Sequence, residues 1–211
     1  MISFIFTSLA DRPFAALSRQ HLLTLGVDAW SVVDSNDGIT APADGELLTT
    51  FPRRGAMYGK PAAVGMIETM LDSFSSNLPI SAFSPHLRMD ADTLLFPAAV
   101  EWLAGATVKA RGYVLDCEGV RGWCGCWSAP VAALRRIAEV LANFDMPPER
   151  CGSCLIFRLL RRTCGIDLAP SGSALTWQSG QAIPPGAHLV TLRRGLAPEV
   201  RAAELVELFG T

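Results

Sequence analysis

The sequence predicts an α/β fold: a mostly parallel central sheet flanked by helices, with a Rossmann-like first half and a more variable C-terminal half. Three observations carry this. Residues 1-7 are a continuous apolar and β-branched run, as expected of a parallel strand covered on both faces. A helix-period stripe and a second strand-like run follow and close a β-α-β unit by residue 34, with the right-handed crossover such units adopt. A third strand-like segment ends at Leu87-Arg88-Met89 and gives way to Asp90-Ala91-Asp92.

In chain order, the first strand covers residues 1-7. Asp11, placed to cap a helix, precedes Arg12-Pro13 and the stripe Phe14, Leu17, His21, Leu22 and Leu25, which Gly26 terminates. Val27 to Val33 returns to strand character and stops at the turn formers Asp34-Ser35-Asn36-Asp37-Gly38. Residues 39-59 are broken by Pro42, Gly45, Pro52 and Gly55 and read as a loop with one short strand. Lys60-Pro61 opens a second helix with Val64, Ile67, Met70, Leu71 and Phe74 on one face, closed by Asn77-Leu78-Pro79. After the strand into Asp90 come a helix over residues 97-105 and a strand over residues 113-115. A glycine-, tryptophan- and cysteine-rich stretch occupies residues 119-127. Pro130 to Phe144 is an amphipathic helix, and Pro147-Pro148-Glu149 begins another that stops at Gly165. A strand at residues 187-192 and a short amphipathic helix at residues 198-209 complete the chain, which has no internal repeat.

At 211 residues and 50% apolar, the chain suffices for one domain with its own core, spanning residues 1-211 and divided near residue 97. The formal charge of -2 gives no basic footprint for nucleic acid, and the pairs Arg135-Arg136, Arg161-Arg162 and Arg193-Arg194 read as solvated helix faces or turn edges. No apolar run approaches the roughly 18 residues that a spanning helix needs, so a soluble protein is expected. The opening segment lacks a basic leader, and Asp11 and Arg12 follow it closely, so it reads as a strand and not a signal peptide. On that reading the location is cytoplasmic, and the six cysteines between Cys117 and Cys164 are reduced thiols.

Asp90 and Asp92 are the centre of the functional reading. Two carboxylates one residue apart at a strand terminus project together beyond the sheet edge, where their oxygens suit a hard divalent cation, Mn²⁺ or Mg²⁺, and such a cation can carry a diphosphate.

With these elements in this order, the chain resembles the A-type glycosyltransferase fold of the nucleotide-diphospho-sugar transferase superfamily. The carriers are Ile2-Ser3-Phe4-Ile5-Phe6-Thr7, Val32 to Gly38, the helix opened by Lys60-Pro61-Ala62-Ala63, and Arg88 to Leu94. The resemblance is close over residues 1-97 and loose beyond. It implies a nucleotide-sugar-binding half at residues 1-97 and an acceptor-side half at residues 98-211. It also implies that Thr7 and the loop after it approach the nucleotide, that Asp34 hydrogen-bonds base or ribose, and that Asp90 and Asp92 lie near ribose, metal and diphosphate. Each role has a plainer counterpart: Asp34 caps the turn before Gly38, and Lys60 is either a phosphate contact or a solvated helix-start residue. His188 matches the late imidazole that several families of this fold use as a third metal ligand, or it is a structural histidine beside a strand.

The second half departs from the family, for it lacks a clean acidic pair where inverting members place a general base. Glu149, with Asp145 in reserve, is the nearest counterpart, although both also suit a helix N-terminus as partners of its dipole. Glu118 is a further candidate. Cys124, Cys126, Cys151 and Cys154 form two close pairs that suggest a structural zinc site, but the one-residue spacing of the first favours buried thiols. Trp123 and Trp127 are either a platform for an acceptor sugar or core.

The resulting expectation is a metal-dependent glycosyltransferase with a nucleotide-diphosphate sugar as donor and a saccharide or other hydroxyl compound as acceptor. A nucleotidyltransferase is the enzymatic rival, weakened because residues 1-20 contain no glycine for a triphosphate-cradling loop. A non-catalytic binding or scaffold protein of the same fold is the third reading.

Overall fold

The computed structural model describes residues 1-49, 59-72, 85-117, 120-122, 126-143, 152-192 and 198-210. The first half alternates as expected: β1 (Ile2–Phe6), α1 (Arg12–Thr24), β2 (Asp28–Asp34), a 3-10 turn at Ser35–Asp37, β3 (Glu46–Thr49), α2 (Gly59–Asp72) and β4 (His86–Asp90). Beyond the acidic turn come β5 (Thr93–Leu95), α3 (Pro97–Ala104), β6 (Ala110–Gly112), and the hairpin of β7 (Leu115–Cys117) and β8 (Val120–Gly122). Then follow β9 (Trp127–Ala129), α4 (Val131–Asn143), α5 (Gly152–Thr163), β10 (Ile166–Leu168), β11 (Ala174–Trp177), β12 (Leu189–Leu192) and α6 (Pro198–Gly210).

Among the described residues the main sheet has seven strands in the order β10-β6-β9-β4-β1-β2-β3. β1 pairs in parallel with both β2 and β4, β2 with β3, and β6 with β10. β9 alone among these runs antiparallel, between β4 and β6. This is the mostly parallel α/β sheet expected from the sequence.

Side-chain alternation along β1 shows why its sequence reads as unbroken apolar. Ile2, Phe4 and Phe6 pack on one face with Ile67 and Met70 of α2, Leu134 and Ile137 of α4, and Ile156 and Leu160 of α5. Ile5 points the other way, toward Ala15 and Leu22 of α1 and Ala99 and Leu103 of α3. A strand with helices on both faces has no solvent side on which polar residues could alternate.

Several boundaries differ from the sequence reading. α1 buries Ala15, Ser18 and Leu22, while Leu17 is exposed, so its inward face lies about one position from the expected stripe. The Asp11 side chain makes no capping bond to α1. Tyr113 follows β6 instead of opening a strand. A second sheet, in the order β11-β12-β5, was not anticipated; it buries Leu94, Trp177, Val190 and Leu192 against Leu205 and Leu208 of α6. This sheet positions the site, because β5 leaves the acidic turn directly and its partner β12 precedes α6.

Candidate functional site

The parallel register collects the predicted residues at one end of the sheet. Phe6 lies opposite Asp90 on β4 and opposite Val32 on β2, and the Thr7 amide donates to the Val32 carbonyl at 3.2 Å. Thr7, Asp34 and Asp90 therefore stand at the carboxyl ends of three neighbouring strands. In open α/β sheets this is where ligands gather.

The loop between β1 and α1 is closed on itself. The Leu9 amide donates to Asp37 Oδ2 at 3.0 Å, the Asp11 amide to the Ser8 carbonyl at 3.1 Å, and the Arg12 amide to the Leu9 carbonyl at 3.4 Å. Ser8 Oγ donates to Asp11 Oδ2 at 3.0 Å. With the Thr7 amide held by β2, four backbone donors between residues 7 and 12 are engaged within the protein.

Asp34 is fully buried, and its Oδ1 accepts from both the amide and the side-chain nitrogen of Asn36 at 2.8 Å. The turn that follows ends at Gly38 with φ +81°, a left-handed conformation that favours glycine. Asp34 thus shapes the turn that presents Asn36, the capping role foreseen as the alternative to direct contact.

The acidic turn carries charge that the protein itself neutralises only in part. Arg88, on β4 and two residues before Asp90, grips that carboxylate with both nitrogens of its fork, Nη2 to Oδ1 at 2.6 Å and Nη1 to Oδ2 at 3.0 Å. Arg201, in the first turn of α6, donates from Nη2 to Asp92 Oδ2 at 3.1 Å and from Nη1 to Asp11 Oδ1. Three carboxylates thus face two guanidiniums. Burial, and next the charge of Asp90, push the Asp92 pKa above the ordinary carboxylate value, against the pull of Arg201. The site calls for positive charge, and its oxygen donors match Mn²⁺ or Mg²⁺ in chemistry. Among the described residues no group of three His, Cys, Asp or Glu side chains converges, so Asp90 and Asp92 would share such an ion with waters or ligand oxygens.

His188 does not join them. The antiparallel register of β12 on β5 sets Thr191 opposite Thr93 and Leu189 opposite Leu95, which puts His188 beside Phe96. That is four residues along the strand from Asp92, or roughly 13 Å at the rise of an extended chain. Its Nδ1 instead shares a hydrogen bond of 2.9 Å with the hydroxyl of Tyr113, whose pKa burial raises, so the imidazole is part of the packing. Lys60 stands half-buried in the first turn of α2.

Asp145, Glu149, Glu118, Trp123, Cys124 and Cys151 lie outside the described residues. Trp127, read as half of a sugar platform, is fully buried on β9 and cannot stack on a ligand. Cys126 is a buried free thiol whose pKa burial pushes up, and Cys154 is a free thiol on α5.

Sequence reasoning missed Asp11 as a site residue and missed Arg201 altogether. The signal for Arg201 was present: it lies four and seven residues before Leu205 and Leu208, half-buried on the side of α6 that faces the second sheet, where an arginine favours a carboxylate partner.

No protein-family model matches the chain, and no curated protein does. Among solved structures, it is similar to a glycosyltransferase involved in the glycosylation of the major capsid of PBCV-1, with a TM-score of 0.59, 10% identity and 98% of each chain covered. It is similar also to the galactosyltransferase LgtC, at a TM-score of 0.52 and 8% identity over 100% of this chain and 95% of that one. The inositol-1-phosphate CTP transferase from T. maritima matches at a TM-score of 0.51 and 9% identity over 98% of this chain and 96% of that one. The chain has the A-type glycosyltransferase fold, shared by sugar- and nucleotidyl-transferring enzymes. No helix among the described residues is long and apolar enough to cross a membrane.

Proposed function

We propose that this protein is a glycosyltransferase that moves a sugar from a nucleoside-diphosphate donor to a hydroxyl acceptor, with Mn²⁺ or Mg²⁺ held at Asp90 and Asp92. The observation that carries the choice of class is the closed β1-α1 loop. A nucleotidyltransferase must cradle a triphosphate, which takes free backbone amides in a glycine-rich turn. Here the amides of Thr7, Leu9, Asp11 and Arg12 are spent within the protein, and the loop has no glycine. A nucleoside diphosphate held chiefly through side chains and a cation suits this loop better.

In this reading each residue has a separate task. Asp34 fixes the turn that carries Asn36 toward the base and ribose. Asp90, stiffened by Arg88, and Asp92 on the next turn present oxygens to the cation and the ribose-diphosphate region. When bound, the cation would neutralise the leaving diphosphate as a Lewis acid and template. The rest of catalysis is positioning of the acceptor hydroxyl against the anomeric carbon. Glu149 and Asp145 remain the proposed sources of a general base.

The test is calorimetric titration of UDP, GDP and CTP with Mn²⁺ into wild type and into Asp90→Asn and Asp92→Asn. Diphosphates should bind better than CTP, and each substitution should weaken that binding by about 1-3 kcal/mol, the scale of a lost charge-assisted contact. Wild type that binds no diphosphate, or variants that bind equally well, would leave the non-catalytic scaffold reading in its place.

A further inference from the structure

The guanidinium of Arg201 occupies the position at which the acidic turn most needs a cation. It bridges two carboxylates from different parts of the chain, Asp11 after β1 and Asp92 after β4, and its side chain is 27% exposed, so solvent and solutes reach it. Asp90 shares its two oxygens with the fork of Arg88. A divalent cation at Asp92 competes with Arg201 for that carboxylate, since the two positive charges repel at such short range and the cation weakens Oδ2 as an acceptor for the guanidinium.

The helix that bears Arg201 is held by other means. Leu205 and Leu208 are fully buried with Leu94, Trp177, Val190 and Leu192, and Glu207, one turn beyond Glu204, bonds Ser179 and the Gly180 amide. Arg201 lies in the first turn, before these contacts. Its long side chain can therefore change partner while α6 stays seated.

We propose that Arg201 is an exchangeable counter-cation: it neutralises Asp11 and Asp92 in the free protein and turns to the donor's diphosphate when a divalent cation takes Asp92. The proposal rests on the nucleotide-sugar reading above and names the residue that gives the site its response to the diphosphate. Charge dictates the direction of the exchange. A dication at Asp92 releases Nη2 of Arg201 while Asp11 still faces Nη1, and the diphosphate that arrives with the dication is the new anion that the released nitrogen can meet. The planar fork of arginine, now spread across two carboxylates, matches two phosphate oxygens equally well.

The test uses the full chain, Arg201→Gln and Arg201→Lys, with Mn²⁺ alone as the first probe and UDP and GDP at saturating Mn²⁺ as the second. Arg201→Gln removes the internal competitor, so Mn²⁺ alone should bind about tenfold more tightly, the scale of one charge-assisted hydrogen bond that no longer has to be broken. The same variant should bind the diphosphates about tenfold more weakly once Mn²⁺ is saturating, because a charge-assisted phosphate contact is gone. Arg201→Lys, which keeps the charge and most of the packing, should lie between the two in both titrations and serves if the Gln variant fails to fold. Mn²⁺ affinity that is unchanged or lower in both variants overturns the exchange, since a merely structural ion pair would alter thermal stability and leave that affinity alone. Wild type that takes Mn²⁺ but neither diphosphate overturns the nucleotide-sugar reading, and with it the second half of this proposal, while tighter Mn²⁺ binding by Arg201→Gln would still uphold the first.

Discussion

Asp90 and Asp92 carry the same chemistry two residues apart, yet the structure gives them opposite energetic roles in the free protein. Asp90 is the bidentate partner of Arg88, whose side chain is 5% exposed, and the carboxylate is 28% exposed. Removing one member of a fully buried ion pair costs about 3-5 kcal/mol, chiefly through the charge left behind. Water reaches Asp90, and an amide at that position keeps one acceptor for the fork, so Asp90→Asn should lose about 2 kcal/mol. In a chain of this size that lowers the melting temperature by about 4-8 °C. Asp92 stands otherwise. Burial and the neighbouring Asp90 and Asp11 disfavour its charge more than Arg201 favours it, which is why its pKa is raised. A group with a raised folded carboxyl pKa contributes stability at low pH that is lost as pH rises through that pKa, so at neutral pH its ionised form is a burden. Asp92→Asn should therefore stay within about 1 kcal/mol of wild type. Urea unfolding at neutral pH without divalent cations, with slopes checked for equality, measures both. If Asp92→Asn loses as much as Asp90→Asn, the assignment of Arg88 as the structural partner and Arg201 as the yielding one is wrong.

Two further outcomes follow from contacts away from the acidic turn. At Gly152 an added methyl would meet Ala62 Cβ at 2.8 Å and the Ala63 amide nitrogen at 2.9 Å, so Gly152→Ala must push α5 off α2 and should cost about 1-3 kcal/mol in denaturant unfolding; a neutral or stabilising effect would show that the two helices do not approach so closely. Arg12 grips Glu46 at 2.7 and 2.6 Å, and that bond holds the Glu46 pKa below its ordinary value, so the pair contributes stability above the unfolded pKa of about 4.3 that disappears as pH falls through the lowered value. Glu46→Gln should then be less stable than wild type by about 1 kcal/mol at pH 7, and the gap should close in acid; a gap independent of pH would remove the linkage.

The parts of the fold that were legible in the sequence are those with long or strongly periodic signals. β1, β2 and β4 read correctly because each is a mostly buried segment built around apolar residues and stopped by polar turn formers. α4 read correctly because Val131, Leu134, Ile137 and Leu141 fall on one stripe. β9 was hidden because it contributes only Trp127, Ser128 and Ala129 to the sheet, too few residues for any period to declare itself. Its pairing with β4 and β6 is decided by backbone partners far along the chain. For α1 the stripe was present but misplaced, because the small residues Ala15 and Ser18 face the sheet at close range while Leu17 remains in solvent. Size, more than hydrophobicity, sets the inward side where a helix packs tightly on strands.

The site divides along the same line. Thr7, Asp34 and Asp90 were legible because a residue at the end of an apolar strand is located by the strand itself. His188 failed as a third ligand because its placement depends on the register of β12 on β5, which no local pattern encodes. Arg201 lies 109 positions from Asp92 and 190 from Asp11, and only the second sheet, by seating α6, brings it to them. Its partners could not be named from sequence, but its place on the inward-facing side of α6 was readable. Two residues there, Arg201 and the buried Glu204, interrupt an otherwise apolar face. A half-buried charge on such a face is favoured by an opposite charge nearby, and that partner lies where α6 docks. Since α6 docks beside the strand that leaves Asp92, the acidic turn was the available answer, and the same reasoning links the free protein's ion pair to the cation that the turn is proposed to bind.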